Sequence, residues 1–222
     1  MRGLYLVTPN WDDTDRLLDV SEQALQEGVA LLQYRHKSAE ADQRREQAGA
    51  LLALARKYGV PFIINDFLEL CEELDADGVH VGGTDASVAQ VRARLGADKI
   101  VGASCYGDMA LARTAEAGGA SYVAFGGFYP SLVKKYPVTT PLDIVLQAKC
   151  EIRLPCVVIG GMTPENAAPL VARGADMVAA ISSVFGNGHQ ADAVDIAVQQ
   201  FNLLFAQAGG RVRGRISRII GI

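Results

Sequence analysis

A small set of charged side chains in this 222-residue chain stands where ionic chemistry could be done. Arg35, Lys37 and Lys134 are cations that follow short apolar runs. A guanidinium and two ammoniums converging on one spot suit a multiply charged phosphate group, the guanidinium through its fork of N–H donors. Asp66 and Asp85 follow two further runs, Phe62-Ile63-Ile64-Asn65 and Gly78-Val79-His80-Val81. Two carboxylates with waters and a substrate diphosphate are the usual way to hold Mg²⁺. Each Asp also precedes a helical stretch, so helix capping is the competing role. Two later turns, Gly160-Gly161 and Ser182-Ser183, offer backbone N–H groups to a phosphate.

Other chemistries find no support. There is no G-x-x-x-x-G-K-[ST] loop and no G-x-G-x-x-G after the first apolar run. Gly102-Ala103-Ser104-Cys105-Tyr106-Gly107 misses the nucleophile-elbow spacing. Four cysteines, Cys71, Cys105, Cys150 and Cys156, form no C-x-x-C pair, and His36, His80 and His189 are not spaced for zinc. His80 sits inside an apolar run and reads as a hydrogen-bonded core histidine.

The elements that must position these groups alternate along the chain. Strand-like runs are Leu4–Val7, Ala30–Arg35, Pro61–Asn65, Gly78–Val81, Lys99–Ala103, Tyr122–Phe125, Cys156–Ile159 and Met177–Ile181. Helical stretches are expected at about 13–27, 39–58, 67–74, 87–95, 108–117, 141–150, 164–172 and 191–208. The runs are short and almost continuously apolar, as in a parallel sheet covered on both faces. Eight βα units of roughly 28 residues use nearly the whole chain, which predicts a single-domain (β/α)₈ TIM barrel over 1–222. An open doubly wound sheet would usually stop at fewer strands. In a barrel, ligands meet the carboxyl ends of the strands, and that is where the charged and glycine positions fall.

Composition narrows the class further. Half of the residues are hydrophobic and the formal charge is −4, which argues against a generic nucleic-acid or anionic-membrane binder. No apolar segment approaches the roughly 20 residues of a membrane span. Cysteine usage is that of a reducing cytosol, so a cytoplasmic protein is expected. The Arg211, Arg213, Arg215 and Arg218 cluster makes 209–222 a candidate flexible basic tail.

Taken in order, these residues resemble the thiamine-phosphate synthase family. The match includes Gln33-Tyr34-Arg35-His36-Lys37 for its Q-x-R-x-K, Ile63-Ile64-Asn65-Asp66 for its I-N-D, and Ala76–Gly82 with Asp85. It continues through Gly102-Ala103-Ser104, Lys134-Lys135 and Ile159-Gly160-Gly161. The resemblance implies a transferase that joins a hydroxymethylpyrimidine diphosphate to a thiazole phosphate and releases pyrophosphate. It implies Arg35, Lys37, Ser104 and Lys134 as catalytic residues and Asp66 and Asp85 as Mg²⁺ ligands. Substrate contacts are implied for Gln33, Tyr34, Arg35, His36, Lys37, Asn65, Ser104 and Lys134, with Ser131, Gly161, Ile181 and Ser182 toward the thiazole phosphate. The expected partners are therefore small molecules, and a homo-oligomer is compatible with them.

The chain departs from the family pattern at Gly83, Gly127 and Val133, where Gln, Pro and Thr are usual. Val133 removes one hydroxyl expected near the thiazole phosphate. Two rival readings are a thiazole tautomerase on the same barrel and a non-catalytic binding homologue. The tautomerase is expected to carry a His shortly after Ser104, where Cys105 and Tyr106 stand.

Overall fold

The computed structural model describes residues 1–82, 87–130, 139–186 and 193–219, with side chains through residue 208. Eight strands alternate with helices: β1 (Gly3–Val7), α1 (Thr14–Gln26), β2 (Leu31–Tyr34), α2 (Ala41–Tyr58), β3 (Phe62–Asn65), α3 (Leu68–Glu73), β4 (Gly78–Val81) and α4 (Val88–Leu95). The second half holds β5 (Ile100–Tyr106), α5 (Met109–Ala117), β6 (Tyr122–Gly126), α6 (Ile144–Glu151), β7 (Cys156–Ile159), α7 (Pro164–Ala172), β8 (Met177–Ala180), α8 (Ser182–Phe185) and α9 (Val194–Ile219). The strands pair in parallel, in chain order, and close into a barrel through β1 and β8.

Two apolar layers follow from the period-two alternation of strand side chains. Leu4, Leu6, Leu32, Tyr34, Phe62 and Ile64 belong to the large cluster between strands and helices. Tyr5, Val7, Leu31, Ile63, Tyr122, Val157 and Met177 fill the barrel interior. The helices bury one stripe each: in α1 it is Leu17, Val20, Ser21, Ala24 and Leu25, the i, i+3, i+4 spacing of an amphipathic helix.

Local chemistry sets where the helices begin and end. Asp13 accepts from the Arg16 N–H at the start of α1, and capping boxes open α4 (Ser87 with Gln90) and α7 (Thr163 with Asn166). Gly59 closes α2 in the left-handed conformation, φ 66°.

Several boundaries differ from the sequence reading, and helix α9 runs on to Ile219 rather than ending at 208. Strand β5 runs on to Tyr106 because a bulge between Ser104 and Tyr106 keeps it paired with β6. Helix α6 starts at Ile144 rather than 141, because Thr139 and Thr140 are first tied back to Gly127. A single short helix, α8, forms directly after β8, with the Val184 and Phe185 N–H groups donating to the Ile181 carbonyl.

Candidate active site

The carboxyl ends of β2 and β3 bring together most of the expected charged groups. Lys37 Nζ lies 3.0 Å from Asp66 Oδ2, which also accepts from Asn65 Nδ2 at 2.7 Å. Asp66 Oδ1 has no hydrogen-bond partner among the described residues. Asp66 adopts a left-handed backbone, φ 65°, held by its N–H donating to the His80 carbonyl at 2.9 Å. Asp tolerates this region better than most residues.

Arg35 and Lys37 are positioned from the loop after β1. The Arg35 N–H donates to Thr8 Oγ1 at 2.8 Å, and Asn10 Oδ1 accepts from Arg35 Nη1 at 3.3 Å and from the Lys37 N–H at 3.4 Å. Thr8 and Asn10 are absent from the sequence-based set. Their signal was present, since they are polar residues directly behind the first apolar run.

Two residues of the Gln33–Lys37 motif lie elsewhere. Tyr34 occupies the outward-facing alternation of β2, where its hydroxyl donates to Gln47 Oε1 of α2 at 2.9 Å. That hydrogen bond braces α2 against the strand. His36 is buried, with Nε2 3.2 Å from Asp12 Oδ1 in the β1–α1 loop. That contact places it as a brace for the loop.

Inside the barrel, Gln33, His80 and Ser104 are joined by two tyrosines. Gln33 Nε2 donates to the Tyr5 hydroxyl at 2.5 Å, and the Tyr5 and Tyr122 hydroxyls lie 2.7 Å apart. The Tyr122 hydroxyl is 2.9 Å from His80 Nδ1, and His80 Nε2 is 2.9 Å from Ser104 Oγ. His80 is thus hydrogen-bonded through both ring nitrogens. Burial pushes the Tyr5 and Tyr122 phenols well above the ordinary tyrosine value, so both keep their protons. Gly102 makes room for this arrangement, because a Cβ there would fall on the Tyr122 ring.

The opposite side of the mouth is built on glycine. Gly127 has φ 84°, and its carbonyl accepts from the N–H groups of Thr139 and Thr140, both at 3.2 Å. The proline usual there, fixed near −65°, could not take this conformation. The two ends of the β6–α6 connection are therefore clasped at the barrel rim. Gly161 has φ 62°, and a Cβ on it would strike the Pro130 carbonyl. Its own carbonyl accepts from Asn166 Nδ2 at 2.8 Å. Ile181 packs against the inner cluster, and Ser182 opens α8. Asp85, Ser131 and Lys134 lie outside the described residues.

Among the described residues no cluster of three or more His, Cys, Asp or Glu side chains could hold a metal. A site for Mg²⁺ is commonly made of one or two carboxylates with waters and substrate phosphate oxygens. Asp66, a hard oxygen donor with one oxygen uncommitted, fits such a site.

A closed parallel barrel with cations, a carboxylate and glycine turns at its strand ends defines a (β/α)₈-barrel enzyme. A family model described as thiamine monophosphate synthase matches residues 4–184. The chain is 64% identical over 207 residues to a thiamine-phosphate synthase of Janthinobacterium sp. (strain Marseille), covering 93% of this chain and 98% of that one. A thiamine-phosphate synthase of Methylobacillus flagellatus is 48% identical over 206 residues, covering 92% and 96%. The solved structure of thiamine phosphate pyrophosphorylase from Pyrococcus furiosus superposes with a TM-score of 0.79 at 26% identity, covering 93% of this chain and 96% of that one. The chain belongs to the thiamine-phosphate synthase family, whose members are transferases. No described helix is long and apolar enough to cross a membrane.

Proposed function

We propose that this barrel condenses 4-amino-2-methyl-5-hydroxymethylpyrimidine diphosphate with 4-methyl-5-(2-phosphoethyl)thiazole, or its carboxylate, to give thiamine phosphate and pyrophosphate. The observation that carries this reading is the group at the ends of β2 and β3. There Arg35 and Lys37, both steadied by Asn10, stand beside Asn65 and Asp66. Arg35, Lys37 and Asn65 take the diphosphate, with Lys134 as a further cation from the β6–α6 connection. Asp66, with Asp85, would hold Mg²⁺, which supplies charge neutralisation to the diphosphate when bound. Lys37 sits on Asp66 and so adds one positive charge to the group of side chains that would take the diphosphate.

The chain's own residues then lower the barrier by charge and position. As the carbon–oxygen bond to the diphosphate breaks, negative charge grows on the leaving oxygens, and Arg35 and Lys37 stabilise it. The electron-rich aminopyrimidine spreads the positive charge left on its methylene carbon. The thiazole nitrogen attacks that carbon with its lone pair and has no proton to lose, so no general base is required. Gly161, Ile181 and Ser182, with Ser131, hold the thiazole phosphate so that the nitrogen meets the carbon in line.

Mixing the purified chain with both substrates and Mg²⁺ tests this reading. Thiamine phosphate and pyrophosphate are expected in equal amounts. Product no higher than the enzyme-free background overturns it.

A further inference from the structure

The chain of side chains through the barrel interior ends on two groups of the proposed pyrimidine site. We infer that Tyr5, Tyr122 and His80 are positioning residues that set, together, the hydrogen-bonding direction of Gln33 and Ser104. The inference rests on the pyrimidine reading of the mouth for its ligand, but on the hydrogen bonds alone for its mechanism.

Each tyrosine hydroxyl carries one proton and has two neighbours in the chain. With Gln33 Nε2 donating to Tyr5, the Tyr5 proton has one acceptor within reach among the described residues, the Tyr122 oxygen at 2.7 Å. Tyr122 must then donate to His80 Nδ1, 2.9 Å away. An imidazole that accepts at Nδ1 carries its proton on Nε2, which donates to Ser104 Oγ at 2.9 Å. The Ser104 hydroxyl proton is left over, and it has no acceptor among the described residues. At the other end Gln33 Oε1 likewise has no partner among the described residues. The mouth thus presents an acceptor at Gln33 and a donor at Ser104.

Reversing either end alone would leave a buried donor facing a donor, or an acceptor facing an acceptor, somewhere along the chain. The two ends therefore switch only as a unit. A 4-aminopyrimidine, with amine donors beside ring-nitrogen acceptors, complements this polarity. A 4-oxo ring, presenting an acceptor to the Gln33 carbonyl, does not. Discrimination between the two rings is then built by residues that touch neither.

The test combines a spectroscopic and a kinetic measurement on the full chain. Histidine-labelled protein without ligand is examined by ¹⁵N NMR, with the His80 signals assigned by their loss in His80→Gln. The wild type is expected to show a neutral imidazole protonated at Nε2 and bare at Nδ1. Tyr5→Phe, which leaves every direct contact of His80 and Ser104 in place, is expected to turn this into a mixture of tautomers. In steady-state kinetics Tyr5→Phe should raise KM for the pyrimidine diphosphate about tenfold, as expected for the loss of one oriented hydrogen bond. Both kcat and the thiazole KM should stay within about twofold, the pattern of lost ground-state binding. Tyr122→Phe serves if Tyr5→Phe does not fold, with the same KM split expected. A wild-type His80 protonated at Nδ1, or a Tyr5→Phe spectrum identical to wild type, overturns the inference. Absence of thiamine phosphate with the wild type would overturn the functional reading and leave the NMR result to decide the chain.

Discussion

Asp66 holds its left-handed backbone while one carboxylate oxygen serves both Lys37 and Asn65. Asn populates that backbone region as readily as Asp, so Asp66→Asn removes the charge without adding strain. Lys37 is half exposed, and losing its ion pair should cost less than about 1 kcal/mol of stability. Activity should respond far more: turnover is expected to fall about a hundredfold and to recover partly at high Mg²⁺. A Mg²⁺ titration of initial rates checks this, and an unchanged half-saturating concentration would remove Asp66 from the metal site. Arg35, Lys37, Asn65 and Asp66 were legible as a candidate site because charged and polar groups follow apolar runs there. The outward direction of Tyr34 was not legible, because both layers around a barrel strand are apolar and no contrast in the sequence separates inward from outward. For the same reason Tyr5 and Tyr122 read as plain core, although their hydroxyls join Gln33 to His80.

Strand β5 shows how an element's backbone serves a site built from its neighbours. Gly102 gives up a side chain so that the Tyr122 phenol, from β6, can cross to Tyr5 and His80. Gly102→Ala would force that ring aside, an overpacking change expected to cost about 1–3 kcal/mol. It should also raise the pyrimidine diphosphate KM as Tyr122→Phe does. Urea unfolding beside steady-state kinetics checks both effects, and a fully stable variant with normal KM would mean that the ring has room to move. The glycine was visible in the sequence, but its purpose depends on a strand that lies next to it only in the closed sheet. Helix α8 escaped for a different reason. Ser182-Ser183-Val184-Phe185 is too short to show a helical period, and its bonds to the Ile181 carbonyl exist only in the fold.

The whole molecule keeps several ionisable groups away from water, and this sets an alkaline limit. Burial pushes the Cys71 thiol up to about 11 and those of Cys105 and Cys156 up to about 12, and it raises the Tyr5 and Tyr122 phenols as well. In the unfolded chain thiols ionise near about 8.5 and phenols near about 10. Above these values the unfolded state sheds protons that the native state retains, so the contribution of these groups is intact below about pH 8 and is lost as pH climbs toward 12. The urea midpoint should be clearly lower at pH 10 than at pH 8, and equal midpoints would show that these groups are hydrated in the native state. The seam between β1 and β8 has a consequence of another kind. Gly3 pairs with Met177 and Leu6 with Ala180, so the barrel's first strand in chain order needs its last one as its neighbour. While the ribosome works through the intervening residues, β1 offers an unpaired apolar edge, the kind of surface on which nascent chains stick to one another. The yield of active barrel then depends on how that edge is shielded during synthesis, by a holding chaperone or by a fast enough ribosome, as well as on the stability of the finished fold.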